Sequence, residues 1–256
     1  MIHPSAIIHE SAQLHESIEV GPFSYIGEDV TIGEGCKIHS HVVIKGPTTI
    51  GKRNEFFQFG SIGEKCQDKK YADEPTQLII GDDNTFREGV SLHRGTIQDE
   101  SKTVIGSRNL LMTTVHVAHD CVIGDDCILA TSATLAGHVK VGNGVIIAGH
   151  SGAHQFCQIG DYAMVGMNSS ISKDVPSFVL AHGNPASPVG MNFEGMKRRG
   201  YSKELISALR QAYKIVYREA DTLEKALIAL EPLEQQFAEV KNFADSIRRS
   251  DRGIIR

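Results

Sequence analysis

The chain has 256 residues, a formal net charge of −5, 41% apolar and only 6% aromatic residues, no tryptophan and 25 glycines. That length fits one or two domains, and the acidic balance argues against a general nucleic-acid binder. No stretch approaches the roughly 20 apolar residues of a membrane span, and Met1-Ile2-His3-Pro4-Ser5 lacks the basic and apolar regions of a signal peptide, so a cytoplasmic protein is expected.

From residue 2 onward one apolar residue recurs every six positions. Ile2, Ile8, Leu14, Val20, Ile26, Ile32, Ile38, Ile44, Ile50, Phe56 and Ile62 follow without a slip, and Gly often comes next. The phase resumes at Ile80, Phe86 and Leu92, shifts by one, and runs from Ile105 to Ile171. Six is not a helical period, but it is a multiple of two, so it marks one face of short extended segments. A short strand with a turn at the Gly fits the unit. Three units per coil predict an all-β solenoid, the left-handed parallel β-helix, of about eight to nine coils.

The fourth residue after each apolar position should also point inward. Cys36, Cys66, Cys121, Cys127 and Cys157 all fall there, which makes them small core residues. A disulfide framework or zinc motif has no support, since the count is odd and no Cys-x-x-Cys occurs.

The repeat is broken at 67–77 (QDKKYADEPTQ) and 97–103 (IQDESKT), both polar. A solenoid extrudes such insertions as loops on one side, where they often bind ligands. The β-helix is expected over 1–176, a linker over 177–200 with a turn-rich stretch from Ala181 to Pro188, and a helical domain over 201–256. Ser202 and Thr222 read as helix N-caps, Pro232 as a helix end or kink, and Phe237, Val240, Phe243 and Ile247 as a last helix. Arg210, Lys214 and Arg218 form a basic stripe that is either a solvated face or a docking surface for an acidic partner.

Chemistry points to the histidines. A coil is 18 residues, so His119 stacks near Gly137, and His119, His138 and His154 should form a rough column on one edge. A histidine on a solvent-facing edge suits general-base work, and Gly137 could aim a backbone N–H at a developing oxyanion. Histidines on a β-helix can also hold zinc, but His116 and His119 are three apart and on an extended strand would face opposite ways.

The order of several motifs then resembles one family. These are QFGSIGE (58–64), Gln67-Asp68, Lys70-Tyr71-Ala72, HRGT (93–96), HVAHDC (116–121), ATLAGH (133–138), HQFC (154–157) and NFEGMKRRG (192–200). Together they are similar to the UDP-N-acetylglucosamine acyltransferase family that starts lipid A biosynthesis in Gram-negative bacteria. The resemblance implies a homotrimer with active sites between neighbouring prisms. It implies transfer of a 3-hydroxyacyl chain from acyl carrier protein to the glucosamine 3-OH of UDP-N-acetylglucosamine, with no cofactor or metal. It casts His119 as general base, Asp120 as its helper and Gly137 as oxyanion donor. Asp120 would nevertheless point away from His119 on a regular strand. Substrate contacts are implied for Gln67, Asp68, Lys70, His93, His116, His138, His154 and Gln155, and for Asn192, Glu194, Arg198 and Arg199. Met167 stands where some members have Gly at the floor of the acyl groove, which implies a medium-length donor, near decanoyl or dodecanoyl. The alternatives are the N-acyltransferase of the same pathway and a zinc-dependent β-helical enzyme.

Overall fold

The computed structural model describes residues 1–256. The hexads form short strands, most of two residues, and these stack into three parallel sheets. The first face runs from Ile7–Ile8 through His116–Val117 and Thr134–Leu135 to Ser170–Ile171. The second runs from Gln13–Leu14 through Val122–Ile123 to Gln158–Ile159. The third runs from Glu19–Val20 through Ile146–Ile147 to Met164–Val165. Nine and eight strands line the first two faces, which agrees with the expected eight to nine coils.

The turn does not sit at the Gly after the apolar residue. It lies one step further on, and its second residue is left-handed at corner after corner: Phe23, Asp29, His41, Asp120, His138 and Phe156 all have positive φ. A two-residue strand must bend sharply to meet the next face, and a left-handed residue closes that bend. Asp and His tolerate this backbone better than bulky residues do.

The apolar residue and the residue four places on fill the prism. All five cysteines are buried there. Two features of the core depart from small aliphatic packing. Phe56 and Phe86 stack inside it with ring centroids 4.7 Å apart. Asn54, Asn84 and Asn109 form a buried ladder. Asn54 Oδ1 accepts from Asn84 N, Asn84 Oδ1 from Asn109 N, and Asn109 Oδ1 from Cys127 N. Every rung is satisfied, so the polar column costs little. Emptying a large apolar position would instead cost about 2–5 kcal/mol.

Both breaks of the repeat leave the prism at the same corner, between the first and second faces. The first leaves after Ser61–Glu64 and returns at Gln77–Ile80; the second leaves after Ser91–His93 and returns at Lys102–Ile105. Residues that pair across neighbouring coils are ordinarily 18 apart. The spacing grows to 30 across the first loop and 25 across the second.

The stretch expected as turn-rich linker is instead a β-hairpin. Val179–His182 continues the third face and pairs antiparallel with Ser187–Met191, leaving only Gly183 to Ala186 as the turn. Four α-helices follow: α1 (Phe193–Arg198), α2 (Lys203–Lys214), α3 (Leu223–Glu234) and α4 (Ala238–Arg248), with a π-helical turn, Ile215–Glu219, extending α2. Ser202 and Thr222 do cap α2 and α3, and Pro232 lies inside α3 near its end. No helix is long and apolar enough to cross a membrane.

Candidate active site

His119 and Asp120 form the turn between His116–Val117 on the first face and Val122–Ile123 on the second. Alternation along a strand therefore does not reach them, and the expectation that Asp120 points away from His119 fails. The left-handed backbone of Asp120 (φ 59°) swings its carboxylate back, and Oδ2 lies 2.8 Å from His119 Nδ1. A carboxylate only accepts, so Nδ1 carries the proton and Nε2 is left free to act as a base. The His119 side chain is 16% exposed, more enclosed than a solvent-facing edge implies.

Asp120 is buried and heavily bonded. It accepts from Thr96 N at 2.8 Å and from Thr96 Oγ1 at 2.6 Å, while its own N–H donates to Thr103 Oγ1 at 2.8 Å. Thr96 and Thr103 stand at the two ends of the second loop, so Asp120 seals the loop's base. Burial alone would raise the Asp120 carboxyl, but the hydrogen bonds from His119 and Thr96 outweigh it and hold the group below its ordinary range.

Gly137 lies one coil above His119, as the register His116↔Thr134 and Val117↔Leu135 requires. A Cβ there would fall 2.5 Å from His119 Cε1 and 2.6 Å from Nε2, so only glycine fits against the ring. No acceptor within the chain takes the Gly137 N–H. The coil geometry leaves the N–H free at this corner position, and Gly137 packs against the ring that carries the one basic nitrogen of the turn.

His138 follows, almost wholly buried and also left-handed. It meets the His119 ring edge-on, with centroids 5.0 Å apart, and its Nε2 is 3.7 Å from Asp120 Oδ2. The column continues upward with Phe156, stacked on His138 at 4.4 Å, and not with His154. A column of His119, His138 and His154 does not form, because each residue stacks on its 18-residue successor. His154 falls in the line of Ala118 and Ala136, exposed, with Gln155 beside it in the line of His119 and Gly137.

Below this group, His93 and His116 meet edge-on with centroids 5.1 Å apart. His93 Nε2 is 3.2 Å from Gln67 Nε2 in the first loop, and His116 Nδ1 is 2.8 Å from Ser91 Oγ. Burial, and then the neighbouring His116, push His93 down to about 4; burial also lowers His116. Asp68 and Lys70 are exposed in the same loop, where Asp68 accepts from Lys70 N at 3.0 Å.

The remaining candidates lie on other edges. Met167, 56% exposed, follows the strand Met164–Val165 of the third face and so sits at the third–first corner. Asn192 caps α1 and donates to Tyr162 O at 3.1 Å. Arg199 donates to Gly144 O at 3.1 Å and covers the Tyr162 ring, at the second–third corner. Glu194 pairs with Lys197, and Arg198 is exposed. One chain thus gathers His119, Asp120, Gly137 and His138 on one edge, with His93, His116 and Gln67 beside them, and leaves the α1 residues and Met167 elsewhere. Thr96, Thr103 and Asp99, which bonds His138, were missed; Thr96 is 24 residues from its partner Asp120, so a count of 18 does not find it.

His119, Asp120 and His138 could also be read as a metal site, since a ligand atom of each lies within 4.8 Å of the others. Asp120 Oδ2 already takes bonds from Thr96 Oγ1 and His119 Nδ1, so a cation would have to displace at least one of them.

Comparison with known proteins narrows the chemistry. Residues 174–255 match the family model described as "Udp N-acetylglucosamine O-acyltransferase; Domain 2", residues 102–137 the six-repeat bacterial transferase hexapeptide model, and residues 2–108 the GMPPB C-terminal domain. The acyl-[acyl-carrier-protein]--UDP-N-acetylglucosamine O-acyltransferase of Stutzerimonas stutzeri (strain A1501) is 54% identical over 256 residues, covering 100% of this chain and 99% of that one. LpxA from Acinetobacter baumannii superposes with a TM-score of 0.98 at 50% identity, covering 100% of this chain and 99% of that one. The UDP-N-acetylglucosamine O-acyltransferase of Moraxella catarrhalis RH4 does so with 0.98 at 49%, with the same coverage. With a relative this similar along its whole length, a matching hexapeptide repeat and a hydrogen-bonded histidine–carboxylate pair on its edge, the chain belongs to the UDP-N-acetylglucosamine O-acyltransferase family, enzymes that transfer acyl groups.

Proposed function

We propose that the enzyme moves a 3-hydroxyacyl chain from acyl carrier protein to the glucosamine 3-hydroxyl of UDP-N-acetylglucosamine, in the cytoplasm, with His119 as general base. The observation that carries this is the His119 Nδ1–Asp120 hydrogen bond, with Gly137 packed against the same ring and its N–H without an acceptor in the chain. In this reading His119 Nε2 takes the proton of the sugar hydroxyl as its oxygen attacks the thioester carbonyl carbon. The tetrahedral oxyanion is held by Gly137 N–H. The C–S bond then breaks, and His119 returns the proton to the departing thiolate of the carrier's arm. Asp120 keeps the ring in the tautomer this needs and faces the imidazolium while it exists.

Substrate binding is assigned to Gln67, Asp68, Lys70, His93, His116, His138, His154 and Gln155 from the His119 edge, and to Asn192, Glu194, Arg198 and Arg199. Arginine suits the diphosphate, because its planar guanidinium binds phosphate in a bidentate manner. The latter four lie on a different edge from His119, so a site using all of them has to lie between copies. We infer the homotrimer on that ground and from the family. Met167 limits the acyl groove to a medium-length donor, near decanoyl or dodecanoyl. The exposed Arg210, Lys214 and Arg218 offer a docking face for the acidic carrier.

The test is an assay with UDP-N-acetylglucosamine and 3-hydroxyacyl carrier-protein thioesters, comparing wild type with His119→Ala. Loss of at least about a thousandfold in kcat is expected for removal of base and positioning together. Retained activity would overturn the proposed base, and stoichiometric zinc in the purified protein would favour the metal reading instead.

A further inference from the structure

The second loop does more than fill a break in the repeat. Its base is fixed on Asp120 through Thr96 and Thr103, and Gly95 lets the chain pass against Lys102, where a Cβ would collide with backbone. From that base the loop carries Asp99 back over the corner. Asp99 Oδ2 lies 3.0 Å from His138 Nδ1. The carboxylate only accepts, so it fixes the proton of His138 on Nδ1. The ring is further held flat against Phe156 and edge-on to His119, which leaves Nε2 turned to Asp120.

We propose that Asp99 is a positioning residue that holds the His138 ring and turns its Nε2 toward the His119–Asp120 pair. One loop then serves both halves of the site: Thr96 orients the carboxylate behind the base, and Asp99 orients the neighbouring imidazole. Asp99 itself is a surface residue of the loop and touches no reacting atom. Its hydrogen bond is the only polar contact of the His138 ring within bonding distance, since Asp120 stands at 3.7 Å. Without it nothing holds the proton on Nδ1: the Asp120 carboxylate, 3.7 Å from Nε2, then draws it toward that nitrogen, and a flip would exchange the atoms the ring presents. The consequence for rate rests on the reading of His138 as a substrate contact; the positioning itself does not.

The test uses full-length enzyme carrying ring-labelled histidine, with the His138 signals assigned by their loss in His138→Gln. In wild type the ring nitrogens should report the Nδ1–H form. Asp99→Ala should shift them toward a mixture and lower kcat/KM for UDP-N-acetylglucosamine about tenfold, the value of one good hydrogen bond. Asp99→Asn keeps an acceptor oxygen, so it should retain the tautomer and stay within about threefold of wild-type rate. A merely structural loop contact would not distinguish Asn from Ala in the ring signals. Unchanged His138 signals in Asp99→Ala would overturn the proposal. Shifted signals with an unchanged rate would support the positioning and overturn the substrate-contact reading, which His138→Ala checks separately.

Discussion

Gly137 and His119 approach so closely that a single methyl group cannot be placed between them: a Cβ on Gly137 would fall 2.5 Å from the imidazole. Gly137→Ala therefore has to push the ring off its bond to Asp120 or shift the coil. The ring is the softer of the two, because backbone pairs on both sides tie the coil down. The variant should fold with a thermal midpoint near wild type and lose about a hundredfold in kcat, a size consistent with a misplaced catalytic group. Calorimetry beside steady-state kinetics checks both halves. Full activity in Gly137→Ala would mean that the ring does not act from this position.

Asp120 should matter to stability as well as rate. Its carboxylate is the acceptor for Thr96 N and Thr96 Oγ1, and Asp120→Ala strands both donors in a buried place. A loss of about 2 kcal/mol or more is expected in urea unfolding. The pH dependence has a definite sign. The folded carboxyl titrates below its ordinary value of 3.8, so its contribution is present above that value and is lost as the pH falls through the lower folded one. Wild type should lose stability below about pH 4 more steeply than Asp120→Asn does. Parallel slopes would show that the pair contributes nothing through its charge.

The prism was legible because its rule is strictly periodic. From Val20 onward each Ile or Val at the sixth position repeats the same burial, and the inward place of Cys36 or Cys121 follows from counting alone. The corners were not legible in the same way. The two-face alternation that served for Ile26 or Val117 stops after two residues, and at Asp120 and His138 a positive φ decides where the side chain goes. That is why Asp120 was expected on the wrong side of His119; His154, by contrast, is placed by counting alone, since it lies 18 residues beyond Ala136 and not beyond His138. The role of Thr96 was hidden by the loop, since its partner is 24 residues away and not one coil of 18.

His93 offers a second pH window. Burial and the adjacent His116 push it down to about 4, so in the folded protein it stays neutral while the unfolded chain protonates near 6.5. Stability is then fully present above 6.5 and falls as the pH drops from 6.5 toward 4, the unfolded state taking up the proton first. About 2 kcal/mol should be lost between pH 6.5 and 5 from this group if it stays fully neutral when folded. His93→Gln, which does not titrate and can still bond Gln67, should flatten that part of the curve. Chemical unfolding at stepped pH measures it, and an unchanged slope in the variant would assign the loss to other histidines.

Met167 carries the prediction on acyl length. It stands at the third–first corner and is 56% exposed, so removing its side chain opens space along the edge without emptying the core. Met167→Gly should leave stability within about 1 kcal/mol of wild type, because an exposed position makes few contacts and a glycine there costs mainly backbone entropy. Each methylene that enters an apolar groove is worth about 0.8 kcal/mol, roughly a factor of four in kcat/KM. Two added carbons reaching new space in the variant should then improve the longer thioester about fifteenfold relative to the shorter one. The measurement is a competition between 3-hydroxyacyl carrier-protein donors of stepped length, run on wild type and Met167→Gly. An unchanged order of preference would remove Met167 from the groove and leave the medium-length donor without support.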